Sequence, residues 1–167
     1  MNTKGQTTVE FALAALVLFT FVFAIIDFAM MFYVNLTMQH AVREGARYAI
    51  TGQADQPGQG RGQGVQNGEQ RKKAMILKMT ECAHGLYEKN ANPHKDPTVS
   101  VLTPSSDPTF SNYTGRPVND TGEPTEIVKV SLDYSWPLLT PILRPFFPDG
   151  KYAFVVRATM RHEPWEN

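Results

Sequence analysis

The chain has 167 residues, enough for one modest domain with an appendage. Sixteen Lys and Arg balance sixteen Asp and Glu, which argues against a nucleic-acid partner or an acidic substrate, and the one basic cluster, Arg71-Lys72-Lys73, is too short to change that. The lone Cys82 excludes an intrachain disulfide framework and a multi-cysteine metal site.

The first element is a helix. From Phe11 to Ile26 sixteen residues carry no charge, and Thr20 is the only polar side chain among them. Asp27 interrupts, and Phe28–Val34 then extends the apolar run. Those twenty-four residues make about 36 Å of helix, more than the roughly 30 Å of a bilayer core. No Pro or Gly lies between Gln6 and Arg43, so nothing breaks it. A cleaved secretory signal would need a shorter apolar core and a small-x-small site, which Asp27-Phe-Ala-Met-Met does not offer.

At the front edge of this run stands Glu10, an acid that resists burial. Ahead of it lie Met1-Asn2-Thr3-Lys4, then Gly5 and Gln6-Thr7-Thr8-Val9. Beyond the membrane run, Ala41, Gly45 and Ala49 fall at i, i+4 and i+8, a smooth stripe that lets another backbone come close. We read this part as the stalk of one long helix, its small stripe packed on the soluble domain.

Lys4-Gly5 followed by a glutamate five positions on resembles the prepilin peptidase site of type IV pilins and pseudopilins. A cut after Gly5 would make Gln6 the first residue and Glu10 the fifth. More specifically, Gly5-Gln6-Thr7-Thr8-Val9-Glu10-Phe11-Ala12-Leu13 and Ala41-Val42-Arg43-Glu44-Gly45-Ala46-Arg47 resemble the two ends of the TadE-like family domain, over about residues 4 to 49. Members of that family are pilin-like proteins of the tight-adherence (Flp-type) pilus machinery. The resemblance implies prepilin peptidase and other pilin subunits as partners. It also implies that Glu10 meets the new amino terminus of a neighbouring subunit, the alternative being a solvated flank at the headgroup level. Two departures stand out: no proline follows the Val-Glu-Phe-Ala-Leu block, and Asp27-Phe28-Ala29-Met30 replaces the family's Glu-x-Gly-Arg. The acid is kept and its basic partner is gone. Asp27 then lies near the outer interface or faces a neighbouring subunit.

Residues 51–68 belong to a Gly- and Gln-rich stretch without apolar periodicity, a loop. A second, amphipathic helix is predicted over Glu69–Tyr87, with Met75, Met79, Cys82 and Leu86 on one face and Asn67 with Gln70 as a capping box. Cys82 on that stripe reads as a small buried hydrophobe. Cys82-x-His84 lacks a second pair of metal ligands, so no metal is expected. Between Asn92 and Pro124 only Thr98–Leu102 reads as a strand; the rest, with the sequon-like triplets at Asn112 and Asn119, reads as surface loops.

Two one-sided strands are predicted at the end. Val128, Val130, Leu132, Tyr134 and Trp136 alternate with polar residues over Thr125–Trp136, and Tyr152 to Met160 alternate likewise over Lys151–Arg161. Their connection, Pro137 to Pro148, puts four prolines among six large apolar residues and cannot be a regular helix or central strand. Either it folds over the sheet end, or Leu138, Leu139, Ile142, Leu143, Phe146 and Phe147 form an exposed patch that docks a partner or the membrane face. Strand, apolar Pro loop and Ala158–Glu163 also look TadE-like, more loosely than the N-terminus.

The expected fold is α+β: a long N-terminal transmembrane and stalk helix packed on a small antiparallel sheet, with one further helix, pilin-like. The expected divisions are a leader (1–5), the helix (6–50), the loop (51–68), an extracytoplasmic domain (69–163) and a tail (164–167). No H-E-x-x-H, G-x-S-x-G or P-loop is present, so no enzyme, cofactor or small-molecule substrate is expected. The expected role is a pseudopilin or minor pilin in the cytoplasmic membrane, single-pass with its N-terminus inside and possible incorporation into a pilus. An uncleaved, single-pass anchored binding module is the alternative.

Overall fold

The computed structural model describes residues 3–51, 68–87, 96–102, 116–118, 121–141 and 143–164. The capping pair at Asn67, most of the Gly- and Gln-rich loop, the triplets at Asn112 and Asn119, and Ile142 lie outside them.

The fold is α+β. Helix α1 runs from Thr3 to Ile50 without interruption, 48 residues or about 72 Å. Its carboxyl end needs partners for the last carbonyls. The Thr51 hydroxyl donates to Tyr48 O at 2.8 Å, and the backbone N–H of Glu163 donates to Ile50 O at 3.2 Å. Helix α2 spans Gly68–Cys82. It stops five residues before the predicted end because His84 (φ 50) and Gly85 (φ 77) are both left-handed, a conformation no helix continues through.

Four strands form one sheet in the order β2-β1-β3-β4: β1 (Thr98–Leu102), β2 (Arg116–Val118), β3 (Ile127–Pro137) and β4 (Lys151–Arg161). β1 pairs antiparallel with both β2 and β3; Val99 lies opposite Val130, and Val101 opposite Val128. β3 and β4 are also antiparallel: Leu138 N–H donates to Gly150 O just past one end, and His162 N–H to Glu126 O beyond the other. β2 is a correction to the sequence reading, which had a loop there. Three residues with a central proline show no alternation, and Pro117 is tolerated because β2 lies at the edge of the sheet.

The chain divides into two compact units. Unit 1 comprises Met1–Val34 and Trp136–Tyr152; unit 2 comprises Asn35–Ser135 and Ala153–Asn167. In unit 2, the buried stripe of α1 is Met38, Ala41, Val42, Ala46 and Ala49, at 3-4 spacing. α2 contributes Ala74, Met75 and Met79, and the strands contribute Val99, Val101, Val128, Val130, Leu132 and Tyr134. The Tyr134 hydroxyl donates to Leu86 O at 2.7 Å, and the Tyr134 ring lies tilted against Phe154 with centroids 5.3 Å apart. A second polar group of residues closes the far end of the sheet. Buried His162 bonds Thr121 O through Nε2 at 2.5 Å, and buried Glu126 accepts from Glu123 N–H at 2.9 Å. In unit 1 the connection between β3 and β4 is built on two short 3₁₀ turns, Arg144–Phe146 and Pro148–Gly150. Arg144 Nε ties the first of them back to Leu138 O at 3.2 Å.

Candidate functional site

α1 is the one helix among the described residues long and apolar enough to cross a membrane, and its most apolar stretch is unburied. Phe11, Leu16, Phe19, Phe21 and Ile25 all face outward. A surface of that kind has no stable place in water, because each large apolar side chain left exposed forgoes about 1.5–3 kcal/mol. The polar Thr20 is taken care of within the helix, donating to Leu16 O at 2.8 Å.

At the start of the helix, Gly5 is exposed with open space around it. The Gln6 amide donates to the Glu10 carboxylate at 3.0 Å, one helical turn on, and both side chains are exposed. The helix therefore carries Gly5, Gln6 and Glu10 on accessible surface, with the acid at the mouth of the apolar run.

Asp27 is different. It is 2% exposed, in the middle of the apolar helix, yet fully bonded. Its Oδ1 accepts from the backbone N–H of Leu139 at 3.0 Å and its Oδ2 from that of Thr140 at 2.9 Å. Two successive backbone donors aimed at one carboxylate form a small anion cradle. A buried acid without such partners would cost several kcal/mol. The carboxylate is thus taken up by main-chain donors of the chain itself. Residue types could not announce this, because the donors are main-chain groups of a loop distant in sequence.

The cradle also sorts the apolar connection. Leu138, one of the six residues of the exposed-patch alternative, is 1% exposed and leaves that patch, next to the two residues whose N–H groups bond Asp27. Leu139 and Phe146 are exposed at 56% and 78%, while Leu143 and Phe147 are half-buried.

In unit 2 the small stripe is closed. Ala41, Gly45 and Ala49 are buried, and a Cβ on Gly45 would lie 2.2 Å from Met79 Cγ and 3.3 Å from Met75 O. Glycine is there because α1 and α2 touch backbone to side chain.

Cys82 is half-buried, and that burial pushes its thiol above the usual range, against an opposing pull from Lys78. Only the thiolate reacts, so at pH 7–8 native Cys82 holds less of the reactive form than a free cysteine. Alkylation by iodoacetamide is expected to be slower than in the unfolded chain and to accelerate at higher pH. Identical native and unfolded rate profiles would contradict this.

Taken together, fold and site define a small α+β protein carried on one N-terminal helix that could span a membrane. Residues 5–47 match the family described as TadE-like protein. That is the family its two motifs resemble, and the match begins at Gly5 and closes at Arg47. No curated protein matches the chain, and no solved structure does. A TadE-like domain suggests a role in the tight-adherence pilus system, with the association to that system and to a membrane that this implies.

Proposed function

We propose that this protein is a pseudopilin or minor pilin of a tight-adherence pilus, cut by prepilin peptidase after Gly5 and assembled through α1. The observation that carries this reading is the family match over 5–47 together with an exposed Gly5-Gln6-Glu10 face at the head of an outward-facing apolar helix. Cutting after Gly5 creates an α-amino cation at the depth of Glu10. An acid costs about 2.5–3.5 kcal/mol at the centre of a membrane helix on insertion scales and less toward the face where Glu10 stands, and a neighbour's amino terminus would offset that smaller cost. Glu10 then sets register: two subunits pack at the height where cation and carboxylate meet. The apolar side chains of α1, lipid-facing before assembly, would face other helices in the fibre. The globular part would sit outside the cytoplasm. Its role is assembly, not catalysis.

Intact mass and N-terminal sequencing of the protein from its native membrane test this. The expected start is Gln6. A start at Met1 or Asn2 with active peptidase present would instead mean a permanently anchored module. In the same system Glu10→Ala is expected to insert into the membrane normally but to lose most incorporation into assembled pilin complexes; full incorporation would remove the register role.

A further inference from the structure

The connection between β3 and β4 has a second property that the assembly reading does not use. Leu139 and Phe146 stand out from a short, internally bonded turn, and Phe146 is the most exposed large apolar side chain among the described residues. They lie in unit 1, with the apolar part of α1. The turn is fastened to that helix at one known height, Asp27, by the two bonds from Leu139 and Thr140.

That height can be placed. Glu10 marks the start of the apolar run, and Asp27 stands seventeen residues further along a continuous helix, about 25 Å. A bilayer core is about 30 Å thick. If Glu10 lies at one face, Asp27 lies just inside the other, and Phe28 and Phe32 carry the exposed apolar surface past it. The turn therefore sits where hydrocarbon gives way to headgroups. Its chemistry suits that layer: exposed Leu139 and Phe146 beside exposed Arg144 and Lys151, with Asp149 the one acid of the segment. Apolar and aromatic side chains flanked by basic ones are what the headgroup boundary takes up. Two side chains are too few for a specific protein interface, which needs on the order of 800 Å² from each partner.

We propose that the 137–150 turn is an interfacial foot. Leu139 and Phe146 seat in the boundary between headgroups and acyl chains on the membrane face opposite Glu10, and Arg144 and Lys151 reach the lipid phosphates. The foot rests on the reading of α1 as a membrane span, and the experiment separates the two.

The full chain with Cys82→Ser is given one new cysteine, Phe146→Cys or, in mid-helix, Phe19→Cys. Each carries an environment-sensitive fluorophore in vesicles of neutral and anionic phospholipid. Quenchers are lipids with a nitroxide near the headgroup or deep in the acyl chain, and aqueous iodide. The Phe19 probe is expected to respond to the deep quencher. The Phe146 probe is expected to lose roughly twice as much emission to the shallow nitroxide as to the deep one, since interfacial residues lie about 5–10 Å into the boundary. A quenched Phe19 probe with a Phe146 probe open only to iodide overturns the foot and leaves the span intact. A Phe146 probe shielded from both lipid and iodide also overturns it, and means that another protein surface covers the turn. A Phe19 probe open to iodide removes the span, and the foot with it.

Discussion

Asp27→Ala is expected to detach the 137–150 turn from α1. The backbone N–H groups of Leu139 and Thr140 lose both oxygens that now accept from them. Each orphaned donor costs about 1–3 kcal/mol where it stays buried, so the total is on the order of a few kcal/mol. The turn can escape most of that penalty only by moving to water, which would expose Leu138. Hydrogen exchange of the chain in lipid nanodiscs reads this directly: peptides over 138–143 should lose protection while those over Val128–Leu132 keep it. Asp27→Asn should fall between, because the amide keeps one acceptor oxygen and presents an NH₂ group to the second donor. Unchanged exchange over the turn in Asp27→Ala would show that the cradle holds nothing.

The second large effect is expected at Gly45. A leucine there must fit where even a Cβ would stand 2.2 Å from Met79 Cγ and 3.3 Å from the Met75 carbonyl oxygen. Met79 is flexible and can swing aside; the Met75 carbonyl is backbone and cannot, so α2 as a whole must shift. Overpacking of this kind costs about 1–3 kcal/mol and occasionally more. Gly45→Ala is a closer contest, since removing a mid-helix glycine gains up to about 1 kcal/mol in helix propensity. Gly45→Leu should lower the unfolding midpoint in denaturant, read by circular dichroism in detergent, and Gly45→Ala should change it much less. Met79→Ala should restore part of the loss when combined with Gly45→Leu, because the two sites share one gap. An unchanged midpoint in Gly45→Leu would mean that no close contact between α1 and α2 depends on glycine at this position.

These two positions also show what a sequence reveals and what it hides. Gly45 was legible as part of a small stripe, because helical spacing alone puts Ala41, Gly45 and Ala49 on one face. β1, β3 and β4 were legible through alternation: the predicted inward set of β3, Val128 to Trp136, is buried throughout. β2 was not, because three residues centred on Pro117 carry no period. Nor was the early end of α2, since the apolar spacing runs on to Leu86 while backbone sterics at His84 and Gly85 stop the helix first. Asp27 was visible as an acid in need of a partner, but main-chain donors leave no mark on residue type. Leu138 and Leu139 are the same amino acid side by side, and only the irregular path between two prolines sends one inward and the other out. The head of α1 differs again: its chemistry is a matter of spacing along the chain, and the Gly5, Gln6, Glu10 interval could be read directly.

The bond from Glu163 to Ile50 has a consequence for the order of events. The ribosome delivers α1 before α2 and the strands, and its apolar part can enter a membrane while those are still being made. The donor that completes its far end lies two residues beyond β4, 113 residues after its acceptor, and closing so long a loop is slow relative to local helix formation. The helix waits for the sheet before its end is closed.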